Sequence, residues 1–74
     1  MVRMPRVEGK DVVGALKRAD FRLLHIRGSH HYLRRSSGSL VCVPVHAGVI
    51  VDMKTLKSIL EQAELTVNEL LELL

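Results

Sequence analysis

RLLHIRGSHHYLRRSSGSLVCVPV, residues 22–45, decides the fold. Its clearest strand is Leu40 to Val45, where Val41, Val43 and Val45 alternate with Leu40, Cys42 and Pro44. Pro44 has no N–H to give a ladder, so the strand is an edge there or ends there. His30 to Arg35 alternates more weakly, and Arg22 to Arg27 is rich in Leu and Ile. Gly28-Ser29 between these two predicts a tight turn or a bulge. Ser36-Ser37-Gly38-Ser39 predicts a hairpin loop. With that loop, Tyr32 is expected opposite Val43, His30 opposite Val45, Leu33 opposite Cys42 and His31 opposite Pro44. Neither face of the hairpin is then plainly apolar.

Helical patterns flank the strands. Over residues 9–19, Val12, Val13, Leu16 and Ala19 share a stripe, with Lys10, Lys17 and Arg18 off it. Asp20 is expected to close this helix, because Asp tolerates the left-handed conformation better than most residues. His46-Ala47-Gly48 reads as a loop. A second helix is expected from Asp52, a suitable N-cap, to Ala63, with Met53, Leu56, Ile59, Leu60 and Ala63 as its apolar stripe. Thr66-Val67-Asn68-Glu69 has the spacing of a capping box, with Leu65 and Leu70 placed as a hydrophobic staple. It opens a third helix that runs to the end of the chain. Leu70, Leu71, Leu73 and Leu74 are more apolar surface than so short a helix usually buries alone, which leaves some of it for a partner. The order α-β-β-β-α-α, with short connections, predicts an α+β sandwich: a three-stranded antiparallel sheet with helices on one face and the other face open. No repeat or linker interrupts residues 1–74, so they are expected to form a single domain.

Composition narrows the function. A chain of 74 residues buries only about 60% of the surface its unfolded form exposes. Chemistry is therefore expected on an open face rather than in a deep cavity. Hydrophobic residues at 47% and charged residues at 26% fit an ordered globular domain. The aromatics are Phe21 and Tyr32 alone, which is little for stacking single-stranded bases. Cys42 has no partner for an intrachain disulfide, and its place in a strand suits a small buried hydrophobe. The first 25 residues hold charges throughout, unlike a signal peptide. No run approaches the roughly 20 apolar residues of a membrane span. A cytoplasmic protein without membrane contact is the expectation. Residues 1–60 carry all eleven Lys and Arg against Glu8, Asp11, Asp20 and Asp52, a balance of +7. Residues 61–74 carry four Glu and no base, a balance of −4. A basic body with an acidic tail points to a polyanionic partner for the body.

The chemistry-bearing residues are His25, His30, His31 and His46. Histidine alone can serve as both acid and base near neutrality without a shifted pKa. RNA cleavage needs little more: a base for the 2′-OH proton, an acid for the leaving 5′-oxygen, and cations for the charge on the phosphate. Arg27-Gly28-Ser29-His30-His31 gathers these parts. Arg27 is a forked phosphate donor, Gly28 lets a phosphate approach the backbone, and Ser29 offers a hydroxyl. His30 and His31 point to opposite faces of a strand, so only one of them can meet a given substrate. The residues alone leave the two tied. Adjacent strand histidines are also more often packing or solvent-facing than catalytic. His25, in an apolar strand, reads as a core residue, and His46 as a loop cap. No pair of ligands has helical i, i+4 spacing and there is no CxxC, so no metal site is expected. No phosphate-binding glycine motif or nucleophile elbow occurs, so no cofactor is expected.

Arg27-Gly28-Ser29-His30-His31-Tyr32, then Val43-Pro44-Val45-His46, then Lys54-Thr55-Leu56-Lys57-Ser58-Ile59-Leu60-Glu61-Gln62-Ala63, in this order and at this chain length, resemble the HicA toxins of prokaryotic toxin–antitoxin pairs. The likeness runs from Val7 to Leu74. It implies a double-stranded-RNA-binding-domain-like fold, α-β-β-β-α with a short extra helix. It implies a metal-independent endoribonuclease that cleaves mRNA without the ribosome. The resemblance, and not the strand pattern, selects His30 as the catalytic residue. Arg27, Gly28, Ser29, His31 and Tyr32 are then expected to bind the substrate. The implied partner is a HicB antitoxin covering the active face, and self-association is the other use of the apolar tail. Asp20 and Glu64 stand where such toxins usually carry Gly, and Lys54 where a Gly often precedes the Thr-Leu of the second helix. The first two changes are expected to cost a little stability and the third to move a phosphate contact. A different function on the same fold is a non-catalytic module that binds double-stranded RNA.

Overall fold

The computed structural model describes residues 4–36 and 38–74. Met1 to Arg3, and Ser37 of the Ser36-Ser37-Gly38-Ser39 stretch, lie outside them. The elements are α1 (Gly9–Arg18), β1 (Arg22–Arg27), β2 (His30–Arg34), β3 (Val41–Pro44), α2 (Met53–Ala63) and α3 (Val67–Leu73). The strands form one antiparallel sheet in the order β1-β2-β3. Leu33, Val41 and Val43 from the sheet, Val12 and Leu16 from α1, Leu56 and Ile59 from α2, and Leu70 from α3 are all essentially solvent-free and share one core. The helices therefore cover one face of the sheet. This is the expected α+β arrangement of the double-stranded-RNA-binding-domain type.

The expected caps form. Asp20 and Glu64 take left-handed φ values of 69° and 58° where each of the first two helices ends. A side chain there is strained by contact between Cβ and the backbone, a strain that glycine would not carry. Asp52 accepts from the Thr55 N–H at 3.1 Å, and the hydrogen bonds from Thr55 hold its carboxyl below the usual carboxylate range. Thr66 and Glu69 complete the capping box of α3. The leucines of the tail divide. Leu70 is buried, Leu73 half-buried, and Leu71 and Leu74 exposed. Arg18 ties α3 to α1 by donating to the Leu73 carbonyl at 2.8 Å.

Two sequence expectations are corrected. Met53, placed in the apolar stripe of α2, is 69% exposed. The register of the second hairpin is shifted by one residue. Leu33 lies opposite Val41, His31 opposite Val43, Tyr32 opposite Cys42 and His30 opposite Pro44. The connection spans residues 35–40, with Ser36 at a left-handed φ of 46°. Burial explains the shift. In this register Leu33, Val41 and Val43 all enter the core, whereas a slip of one residue would turn Leu33 away from the two valines. Each such side chain contributes about 1.5–3 kcal/mol when fully buried.

The N-terminus of α1 fixes the end of β3. A Cβ on Gly9 would be driven into the Pro44 carbonyl oxygen and would lie 2.9 Å from Val45 Cα. Around this close approach, Val51 N–H donates to the Val7 carbonyl at 2.8 Å and Gly48 N–H to the Glu8 carboxylate at 3.1 Å. Val45 N–H in turn donates to the Ser29 carbonyl at 2.7 Å, so the same corner holds the turn between β1 and β2. Gly9→Ala is expected to destabilise the protein by about 1–3 kcal/mol through overpacking. Gly14→Ala, where a Cβ meets only the Arg18 guanidinium at 3.7 Å, is expected to stabilise it by about 0.5–1 kcal/mol. Urea unfolding of the two variants beside the parent checks the opposite signs.

Candidate functional site

The first hairpin turns on two residues. Arg27 lies opposite His30, with Gly28 at φ 61° and Ser29 outside the left-handed region. Glycine at the first central position is what a type II′ hairpin turn needs. A turn of this length aligns the two strands and sends Arg27 and His30 to the same side of the sheet.

Alternation from this point sorts the side chains. Leu33 faces the helices, and His31, two residues away on β2, shares its side. His30, Tyr32 and Arg34 face the other way, with Pro44 and Cys42 opposite the first two on β3 and Arg27 and His25 opposite them on β1. His30, expected as the catalytic residue, thus lies on the open face beside Arg27 and Tyr32, immediately after the Gly28–Ser29 turn. His31, expected among the substrate contacts, does not join them. It is half-buried on the helix side, and its Nδ1 is buried without a hydrogen-bond partner among the described residues.

His25 stands elsewhere than its apolar strand suggested. It is exposed on the open face, with its ring stacked on Tyr32 at a centroid separation of 4.5 Å and an interplanar angle of 15°. A β-bulge between Leu23 and His25 is responsible. Without an extra residue, Leu23 and His25 would point to the same side. The bulge leaves Leu24 exposed, lets Leu23 pack on the core opposite Leu33, and keeps His25 in line with Arg27. The sequence held a signal for this: once the two-residue turn sets Arg27 against His30, alternation sets His25 against Tyr32.

The face is electropositive. Residues 21–51 contain no Asp or Glu. Arg22 and Arg34, opposite each other, extend the row begun by Arg27. Among the described residues, Arg18 and Arg35 are the arginines engaged in hydrogen bonds, and Arg35 also lies 4.9 Å from the centre of the Phe21 ring. These two serve the fold, while Arg22, Arg27 and Arg34 project from the open face without a described hydrogen bond. His25, Arg27 and His30 are exposed, so a polyanion can reach them directly. Chemically, the face offers two imidazoles, a stacked phenol and guanidinium groups around one exposed turn. Among the described residues no three His, Cys, Asp or Glu side chains gather in a way that would hold a metal ion, and no helix is long and apolar enough to cross a membrane.

The sequence model of one protein family, described as a HicA toxin of bacterial toxin–antitoxin, matches residues 9–65. That stretch runs from the first residue of α1 past the cap of α2 and contains the whole sheet. The comparison with curated proteins found no match.

Because the open-face side chains are not part of the core, His30→Ala and Arg27→Ala are each expected to change stability by less than about 0.5 kcal/mol. Leu33→Ala, at a fully buried position, is expected to cost about 2–5 kcal/mol. Denaturation midpoints of the three variants test this division of the sheet into a working face and a structural face.

Proposed function

The chain belongs to the HicA toxin family, the toxin side of a bacterial toxin–antitoxin pair, and from that premise we propose that it is a metal-independent endoribonuclease that cleaves mRNA in the cytoplasm. The observation that carries this reading is the placement of His30 on an exposed, acid-free sheet face beside Arg27.

The reaction is a transesterification at phosphorus. The 2′-oxygen of one nucleotide loses its proton and bonds to the adjacent phosphorus. The bond from phosphorus to the 5′-oxygen of the next nucleotide breaks, and that oxygen takes up a proton. The products are a 2′,3′-cyclic phosphate and a 5′-hydroxyl. His30 acts as general acid or base in this exchange. Arg27, opposite it, donates to the phosphate and offsets the charge that develops there. Gly28 presents backbone with no side chain in the way, and Ser29 and Tyr32 add hydroxyl groups near the strand. His31 faces the opposite side and is left out of the substrate contacts.

The face that meets RNA is also the one an antitoxin must cover. A HicB-type protein bound there would silence the toxin by displacing the substrate. The exposed Arg22, Arg27 and Arg34 would favour an acidic surface on that partner.

Purified protein incubated with a long mRNA in EDTA tests the reading, beside a His30→Ala variant matched to the parent by circular dichroism. The expected result is cleavage by the parent alone, with 5′-hydroxyl ends. Salt-sensitive binding of duplex RNA without cleavage would replace the nuclease by a binding module. Cleavage that survives in His30→Ala would remove the histidine from the chemistry.

A further inference from the structure

Removing one proton and delivering another are distinct tasks at opposite ends of the phosphorus, and one imidazole cannot do both in a single concerted step. The open face carries a second imidazole in a defined position. Resting on the ribonuclease reading above, we propose that His25 is the second proton-transfer group, working across the bound phosphodiester from His30.

Placement is the first argument. His25 lies opposite Tyr32 and Arg27 opposite His30, so His25 and His30 are diagonal neighbours on adjacent strands. Such pairs stand about 7–8 Å apart. From neighbouring positions on one face, two imidazoles can reach the entering and leaving oxygens of a phosphodiester laid between them, each by a hydrogen bond of about 2.7–3.0 Å. Arg27 follows His25 by two residues on the same face and sits beside the gap between them, where it can hold the non-bridging oxygens.

Orientation is the second argument. The His25 ring lies nearly parallel to the Tyr32 ring at 4.5 Å. Contact across one ring face limits rotation of the imidazole and leaves its nitrogens at the exposed edge. A side chain held in this way loses less freedom when substrate arrives. The bulge at Leu24 adds to the case, since it is what turns His25 out of the core side while Leu23 goes in. Bulges re-aim side chains in this way beside active sites.

The proton balance closes with two imidazoles. One enters neutral and takes the 2′-OH proton. The other enters protonated and gives its proton to the 5′-oxygen. The P–O2′ bond forms as the P–O5′ bond breaks, and no oxidant, reductant or co-reactant is required. After cleavage the two histidines have exchanged protonation states, and exchange with water resets them.

The experiment is the pH dependence of kcat/KM on an oligoribonucleotide for the parent, His25→Gln and His46→Gln, with the dissociation constant of the 2′-O-methyl oligonucleotide measured for each. The parent is expected to give a bell-shaped profile. His25→Gln is expected to lose one limb of the bell and about 10²–10⁴-fold in kcat, with binding of the uncleavable analogue within threefold or so of the parent. Both limbs kept in His25→Gln, a loss confined to KM, or loss of a limb in His46→Gln instead would overturn the assignment. If the parent cleaves nothing, the ribonuclease reading fails and this one with it. If the parent cleaves and His25→Gln matches it, this assignment alone fails.

Discussion

The pairing register of β2 against β3 is the constraint on which the site depends. Leu33, Val41 and Val43 must enter the same core for the sheet to bind its helices, and in a strand that requirement settles the direction of every other residue. His30 precedes Leu33 by an odd step and is sent outward, and His31 precedes it by an even one and is sent inward. Two neighbouring histidines of identical chemistry thereby meet different surroundings, one exposed and one half-buried. The Gly9 contact supports this arrangement from outside the sheet, because it lets the first turn of α1 close on the end of β3. The Val45 to Ser29 hydrogen bond then holds the turn that precedes His30.

A small domain has little room for a deep pocket, and the candidate site here is an open surface. The core takes Leu33, Val41 and Val43 from one sheet face, and the other face carries most of the sheet's charged and polar side chains. The exposed face gathers arginines, two histidines and a tyrosine, and the chain excludes carboxylates from the whole of residues 21–51. The acidic groups lie elsewhere, at helix caps such as Asp52 and Glu69 and on the tail. This separation concentrates positive charge on one face of the sheet.

Much of this was legible in the residues. The valine alternation, the Gly28-Ser29 turn, the Asp52 cap and the Thr66–Glu69 box each act through local geometry, and all four stand where periodicity and turn chemistry put them. The left-handed end at Asp20 was legible for the same reason, while that at Glu64 was indicated only by the glycine usual there in HicA toxins. The hairpin register was not, because a serine-rich loop admits more than one length and only the core decides between them. The exposure of His25 was hidden by the bulge, which breaks strict alternation in a strand where Leu23, Leu24 and Ile26 suggest burial. Met53 was misplaced because the stripe's spacing also admits the first residue of α2, whereas burial along that helix begins at Leu56. For the site, spacing alone left His30 and His31 tied; the family resemblance selected His30, and the fold adds that the two lie on opposite sides of the sheet.

The central claim is that RNA is held on the open face defined by this register, with His30 and His25 against the phosphate. Its most direct test is NMR of isotope-labelled protein titrated with an uncleavable 2′-O-methyl oligoribonucleotide. The account predicts shifts in the ring signals of His25, His30 and Tyr32 and in the amides of Arg27, Gly28 and Ser29, with His31 and the outer surface of α2 unmoved. Shifts centred on α2 or α3 that leave His30 and His25 unchanged would contradict it.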